Sequence, residues 1–589
     1  MNFPMRVYRF SEAGNSSKIV NSNDVVGFLR RLATLFIVIS LIYIPASVLA
    51  QTQIGADIDG KAAYDESGRS VSLSADGNRL AIGAPGNDDD GFDSGHVRVY
   101  QWSGTAWVQL GADINGHAAY DYFGSSIAFS LNGNRLAIGA PGNDGIGFDA
   151  GHVRVYEWSG TDWSQMGDDI NGEAAYDFSG RSVSLSTDGR HLAIGAPGND
   201  TSGFDAGQVR VFQWSGSVWV QMGQDINGEV FGDESGYSVS LSSDAKQLAI
   251  GAPKNDANGI DSGHVRVFQW SGNTWAKLGG DIDGEAFGDE SGWSVALSSS
   301  GKRLAVGAPK NDGNGIDAGH TRIYQWSGVA WTQLGDDIDG KAFGDESGIS
   351  VSLSADATYL LIGAHKNDSS GLDAGQGREF RWLNGAWTQL GSDIDGEAFG
   401  DMAGSSVSLS SDANRVAIGA PLNVNDSGPN SGHARVFDVS IFNDFRINAG
   451  LNDAWYYPVT QGQGFFINVF ADAGVVSLAW FTYDTELPPD DATANLGDPG
   501  HRWMTALGRV TGNKVFMNIE MTSGGLFDTP TEITRTDPPE SDGTTILTFY
   551  SCNSGSVEYD IPTIKRKGIV PIQRVAEDNV VLCEALIAD

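Results

Sequence analysis

A chain of 589 residues is longer than one hydrophobic core serves, so more than one domain is expected. Its 74 acidic against 37 basic residues leave a net charge of −37, which repels phosphate backbones and anionic lipid and excludes nucleic acid and a bare anionic membrane as partners. With 78 glycines and plentiful Trp, Tyr and Phe, the composition suits short strands and tight turns rather than helices.

The N-terminus has the form of an export signal over residues 1–50. Arg30 and Arg31 precede an apolar run from Leu32 to Ile44, then Pro45 and the small-residue end Val48-Leu49-Ala50, with cleavage expected after Ala50. An uncleaved anchor is the alternative, since 32–50 nearly spans a bilayer. The mature protein is expected outside the cytoplasm, whether secreted, on the cell surface or in a periplasm.

From residue 51 the chain repeats itself every 56 residues. Gly-Ala-Pro or a close variant begins at Gly83, Gly139, Gly195, Gly251, Gly307, Gly363 and Gly419. Each copy offers four strands: A (Ser70 to Ser74 in the first copy), B (Arg79 to Ala84), C (His96 to Trp102) and D (Trp107 to Gly111). Strand C alternates apolar and polar residues, the sign of one buried face. Asp76-Gly77 and Ser103-Gly104 supply the hairpins A–B and C–D. Four strands in each of seven copies is the arithmetic of a propeller. The seventh copy stops after strand C at Val439, and Thr52-Gln-Ile-Gly-Ala-Asp-Ile58 matches the strand D segment from Val108 to Ile114, so the N-terminal strand is expected to complete the last blade. The fold class is therefore all-β, a seven-bladed β-propeller over 51–440 followed by a small antiparallel β-sandwich or barrel over 445–589.

Phe123-Gly124 followed by Gly139-Ala140-Pro141 resembles the FG-GAP repeat of the integrin α-chain propeller, and the likeness runs from residue 51 to about 440. The resemblance implies an extracellular, ligand-binding propeller, often one used in cell adhesion. It also implies calcium in a carboxylate-rich loop before the Gly-Ala-Pro strand. Here that stretch is the short hairpin Ala75-Asp-Gly-Asn-Arg79, and Arg79, Arg135, Arg303 and Arg415 stand where an acidic ligand would help.

Propeller topology puts the long B–C and D–A loops on one face, and both are acidic. The B–C loop carries Asn87, Asp88 and Asp93, recurring as Asn143, Asp144 and Asp149; Asn199, Asp200 and Asp205; Asn255, Asp256 and Asp261; Asn311, Asp312 and Asp317; and Asn367, Asp368 and Asp373. These residues read either as Ca2+ ligands, since calcium wants several hard oxygens in one loop, or as Asx turns that bond their own backbone. The D–A loop adds Asp57, Asp59, Asp65 and Glu66. The His at 96, 152, 264, 320 and 433 reads as structural, because Gln208 and Gln376 fill its place in two copies. The Trp pairs, such as Trp102 and Trp107, read as packing between or across blades. Blade six departs most from the repeat, with His365 for Pro and Gly377-Arg-Glu-Phe-Arg381 for Val-Arg-Val-Tyr-Gln, yet no nucleophile, base and orienter stand together in the sequence. Arg69, Tyr237, Trp293 and Ile349, on the approach to strand A, are variable and suited to tuning a ligand surface.

Beyond Asn443 the composition shifts, with strands expected at Gly464–Phe470, Val475–Tyr483, Lys514–Ile519 and Thr545–Tyr550 and turns at Pro488-Pro489 and Ser523-Gly524-Gly525. Its aromatics read as core. The two cysteines, Cys552 and Cys583, are expected to form one disulfide in an exported chain. The leading expectation for function is a non-enzymatic binding or adhesion protein that meets an extracellular protein or glycan with its acidic loop face. An exported enzyme acting on polysaccharide is the rival reading. A third makes the propeller a scaffold and gives carbohydrate or protein binding to the C-terminal module.

Overall fold

A computed structural model describes residues 51–383, 385–439, 447–457, 463–483, 501–511, 513–523, 534–535, 542–549, 552–576, 579–580, 582–583 and 586. The expected signal segment 1–50 and the turns at Pro488-Pro489 and Gly524-Gly525 lie outside them.

Seven antiparallel sheets form the propeller. In blade 1, strand A (Ser70–Leu73) pairs with B (Arg79–Ala84), B with C (His96–Trp102) and C with D (Trp107–Gln109). A fifth, two-residue strand E (Ile114–Asn115) also pairs with C. The four-strand count is thus one short: Gly111, at φ +83°, breaks the ladder after D, and the chain rejoins strand C through Ile114, which is buried. Only in blade 6 do D and E run together, as Ala386–Asp395. The A–B connection also differs from a two-residue turn. Ser74 and Arg79 close it, Gly77 stands at φ +64°, and the Asp76 carboxylate accepts from the Ser74 hydroxyl and the Asn78 N–H.

The repeated motif makes the contact between blades. Strand B's Gly83 lies against the carbonyl of Gly124 in the next blade, where a Cβ would fall on that oxygen, and Ser70 donates to the same carbonyl at 2.7 Å. Inner strands are linked through serine: Ser72 accepts from Phe129 N–H and Ser408 of blade 7 accepts from Leu73 N–H. Further out, each strand D Trp donates its indole N–H to the preceding blade, Trp107 to Ile54 at 3.0 Å and Trp163 to Leu110 at 3.0 Å. Arg79 reaches forward to the Gly133 carbonyl and Asn134, and Arg415 does the same to Gly77 and Asn78. The arginines that open strand B are therefore inter-blade staples. Blade 7 takes its outer strands from the N-terminal segment: Thr52–Gln53 pairs with Phe437–Asp438, and Ile58–Asp59 with His433–Ala434.

The C-terminal segment closes an eight-stranded antiparallel barrel of Asp453–Tyr456, Gly464–Phe470, Val475–Tyr483, His501–Thr511, Lys514–Ser523, Gly543–Phe549, Ser554–Ile561 and Arg566–Arg574, the first strand pairing with the last. Trp455, Phe465, Trp480, Leu547 and Phe549 fill it. Arg574 is buried, yet each arm of its guanidinium is answered: it bonds Asp453 at 2.6 Å and the carbonyls of Gly450 and Cys552, and stacks over Trp455. Cys552 and Cys583 form a disulfide with Cα atoms 5.7 Å apart.

Candidate functional site

The loop carboxylates have jobs inside each blade. Asp65 is buried and accepts from the Lys61 and Ala62 N–H groups with one oxygen, while its other oxygen accepts from the Asn87 amide at 3.2 Å. The Asn143, Asn199, Asn255, Asn311 and Asn367 amides bond Asp121, Asp177, Asp233, Asp289 and Asp345 at 3.0–3.2 Å, those of Asn311 and Asn367 on the same oxygen that accepts from the backbone. Asp88 accepts from the N–H of Asp93 at 2.8 Å, which holds Asp93 in the left-handed region at φ +51°. Asp144/Asp149, Asp200/Asp205, Asp256/Asp261, Asp312/Asp317 and Asp368/Asp373 repeat that bond. Burial, then the neighbouring Asp88, raises the Asp93 carboxyl, and Asp149 and Asp205 are raised alike. Among the described residues, none of the groups of three His, Cys, Asp or Glu side chains that converge like metal ligands includes these loop residues. The expected result of heating the protein in Ca2+ and in equimolar Mg2+ is therefore an equal, small rise in Tm from screening; a rise specific to Ca2+ would make these loops metal sites.

The same loops carry a second feature that the acidic reading passed over. At the tip of each B–C loop stands an apolar residue paired with one from the following D–A connection: Phe92 with Tyr120, Phe148 with Tyr176, Phe204 with Phe231, Ile260 with Phe287, Ile316 with Phe343, Leu372 with Phe399, and Pro429 with Tyr64. Thirteen of the fourteen are more than half exposed, from 53% upward, and Pro429 is exposed as well. Phe92 and Tyr120 have ring centroids 5.4 Å apart, and the Tyr120 N–H bonds the Phe92 carbonyl. This apolar crown, interleaved with carboxylates, is legible in the sequence as the recurring Gly-Phe-Asp or Gly-Ile-Asp and Ala-Tyr or Ala-Phe.

Inside the crown, loops of blades 2, 3 and 4 enclose a cavity of about 630 Å³. Tyr122, Phe148, Phe178 and Tyr237 supply its apolar wall and Asp144, Asp149, Asp205 and Glu234 its charge. Arg181 lies 4.3 Å from the Tyr237 ring centroid and bonds its hydroxyl at 2.6 Å, and Tyr237 packs against Trp293 with ring centroids 4.6 Å apart and planes tilted by 50°. Tyr237 and Trp293 thus meet as neighbours. Burial, more than any neighbouring charge, raises the Glu234 carboxyl.

Blade 6 holds an arrangement that the sequence did not disclose. His365 bonds Glu346 through Nε2 at 2.7 Å and lies 3.4 Å from the Ser405 hydroxyl through Nδ1. Burial would raise the Glu346 carboxyl, but bonds from His365, Lys310 and Lys366 overcome it and hold it at about 2. The three side chains come from consecutive connections at the loop face, a juxtaposition that separations of 19 and 40 residues hide. Ser405 donates its own proton to the Met402 carbonyl at 2.7 Å, as Ser125 does to Tyr122 where no histidine is near. Its hydroxyl is therefore engaged with backbone, not with a base.

The repeated histidines are fully buried, and burial followed by the adjacent arginine lowers His96, His152, His320 and His433 to about 4, so they are neutral at pH 7.

Residues 56–100, 114–156 and 228–268 match the FG-GAP repeat family, so FG-GAP repeats recur within a seven-bladed propeller. No curated protein matches the chain by sequence. Solved structures similar to it include a putative 6-phosphogluconolactonase from Bacteroides uniformis ATCC 8492 (TM-score 0.40, 12% identity, covering 56% of this chain and 85% of that one). The β-propeller domain of the Trilobed protease from Pyrococcus furiosus is similar at TM-score 0.37 and 11% identity, over 64% of this chain and 94% of that one. The GH74 xyloglucanase from Xanthomonas campestris gives TM-score 0.37 and 10% identity, over 90% and 95%. At these values none of them says what this chain does.

Proposed function

We propose that this is an exported, non-enzymatic binding protein that docks an extracellular protein on the loop face of its propeller. The observation that supports this most is the crown: seven exposed apolar pairs set among carboxylates, a surface that a monomer in water has no reason to display. Its charge favours a partner surface of mixed basic and apolar character. Lys or Arg groups meet aromatic faces by cation–π attraction and carboxylates by charge, while the partner's apolar residues cover the pairs. The disulfide fits an oxidising compartment. No helix among the described residues is long and apolar enough to cross a membrane.

The test uses a labelled amphipathic peptide of alternating Lys and Leu, with a Glu/Leu peptide and neutral oligosaccharides as comparison probes, read by fluorescence anisotropy. The Lys/Leu peptide is expected to bind, to weaken as salt rises, and to lose about tenfold in affinity in the F148S/F204S variant, the cost of exposing roughly 1.4 kcal/mol of apolar contact. Binding indifferent to those substitutions, or a preference for oligosaccharide over peptide, overturns the reading.

A further inference from the structure

Each boundary between blades repeats one socket, made of the first residue of strand C, an Asp from the D–E turn of the same blade, and a residue from the connection that enters the preceding side. Comparing the seven sockets shows what they are built to hold. Between blades 7 and 1 the third residue is Lys61, and its ammonium bonds Asp113. Between blades 5 and 6 it is Lys341, which bonds Asp393 at 2.5 Å. Between blades 1 and 2 it is His117, and there Arg154 turns onto Asp169 with two bonds of 2.8 Å. Between blades 3 and 4 Lys277, where the six other blades carry Gln, bonds Asp281 at 2.5 Å. In four of seven sockets, then, a cationic side chain sits on the D–E carboxylate.

Two others combine Glu, His and Asp: Glu285, His320 and Asp337 between blades 4 and 5, and Glu397, His433 and Asp57 between blades 6 and 7. One ligand atom from each residue of a set lies within 4.8 Å of the others. Among the described residues no Lys or Arg nitrogen comes within 4.0 Å of Asp337 or Asp57; Arg322 and Arg435 reach only the Glu, at 3.3 Å. His320 is 1% exposed, and its Nε2 has no hydrogen-bond partner. Its Nδ1 faces the Asp337 carboxylate from 3.8 Å. A buried imidazole grouped with two carboxylates, at a place where sister sockets hold a positive charge on the Asp, is a donor set of one nitrogen and two oxygens.

We propose that these two sockets each bind a divalent metal ion across a blade boundary, with Zn2+ the ion that one imidazole and two carboxylates suit best. Calcium and magnesium, which take oxygen ligands, are not matched by the imidazole. The seventh socket, with Glu173, Gln208 and Asp225, is the built-in comparison: the Gln208 amide bonds Glu173 at 3.2 Å and offers no imidazole.

Calorimetric titration of the purified protein with Zn2+ after EDTA treatment, with Ca2+ and Mg2+ as comparison ions, tests this. Two equivalents of Zn2+ are expected per chain, with a rise in Tm. H320Q and H433Q should each abolish one equivalent, and E285K should abolish the His320 equivalent by supplying the ammonium that Lys61 and Lys341 supply. Gln and Lys already occupy these places in sister sockets, so the variants are expected to fold, with native circular dichroism. Loss of an equivalent in a variant supports the proposal for that socket. No Zn2+ uptake by the native protein, or native uptake retained by the H320Q/H433Q double variant, overturns it.

Discussion

Replacing Glu379 by valine is expected to raise the melting temperature of the propeller by about 5 °C at pH 8, and by less at pH 5. Glu379 sits in strand C of blade 6, where the other blades carry Val99, Val155, Val211, Val267, Ile323 and Val436, all buried. It is 1% exposed, and neither carboxyl oxygen has a hydrogen-bond partner. Burial alone drives its carboxyl up to about 8 from an ordinary 4.5. The folded protein thus keeps a proton that the unfolded chain gives up above pH 4.5. Stability contributed by this group is whole below 4.5 and is lost as pH rises toward 8, at about 1.4 kcal/mol per pH unit and roughly 3–5 kcal/mol in all. At about 1–2 °C per kcal/mol for a unit of this size, that is the expected shift. E379V should remove the pH dependence and gain, at every pH, the ~1–3 kcal/mol spent burying an unpaired polar group. E379Q separates the two effects: it should flatten the pH profile without that second gain. Thermal unfolding of the three proteins from pH 5 to 8.5 decides it, and a native Tm that does not fall over that range relative to E379V would show that Glu379 is ionised and partnered.

The surroundings explain how blade 6 tolerates the group. Leu361 takes the place of the strand B alanines Ala81, Ala137, Ala193, Ala249, Ala305 and Ala417, and Gly377 takes the place of Val97 and its counterparts. A Cβ on Gly377 would meet the Ile418 side chain at 2.6 Å, so the larger Leu361 and the missing side chain at 377 are one repacking.

What the sequence disclosed, and what it concealed, divides along the same line. A period of 56 residues and the alternation in strand C report what happens within a blade, because those signals come from neighbours in the chain. The FG and GAP glycines could be seen to recur, but that Gly83 meets Gly124 of the next blade depends on how two blades pack. Strand E was hidden for a local reason: two residues are too few to show a period. In the loops the carboxylates were conspicuous and the aromatics between them were not, since composition counts Phe148 or Phe287 as core by default, whereas both stand in water. The pairing of Asn87 with Asp65, the row of Ser405, His365 and Glu346, and the sockets at blade boundaries all join residues from different connections, brought together only when strands pair and blades pack. In the barrel, the strands at Gly464–Phe470 and Val475–Tyr483 were legible from their apolar alternation, while closure was not, because the pairing of Trp455 with Arg574 spans the whole domain.

Ile58 provides the sharpest measure of that ring. Alanine there is expected to cost ~2–5 kcal/mol, as much as alanine at Ile226, the equivalent strand E residue of blade 3. Ile58 is 7% exposed and packs with Val71, Leu73, Leu80, Ile82 and Val436, side chains from blades 1 and 7 that it holds across the seam. Ile226 is 4% exposed in a matching cluster where the chain is continuous. Around Ile58 the backbone is engaged as well: the Ile54 N–H bonds the Val436 carbonyl at 2.8 Å, and the Ile54 carbonyl accepts from the Trp107 indole at 3.0 Å. Cooperative unfolding of the whole propeller therefore depends on this segment as it does on any interior strand, and I58A and I226A should lower Tm by similar amounts in a single transition. If I58A leaves Tm unchanged, or splits off an early transition that I226A does not, the N-terminal strand is an adornment on blade 7 and the ring is held closed by the inner contacts of blade 7 with blade 1, Arg415, Ser406 and Ser408 among them.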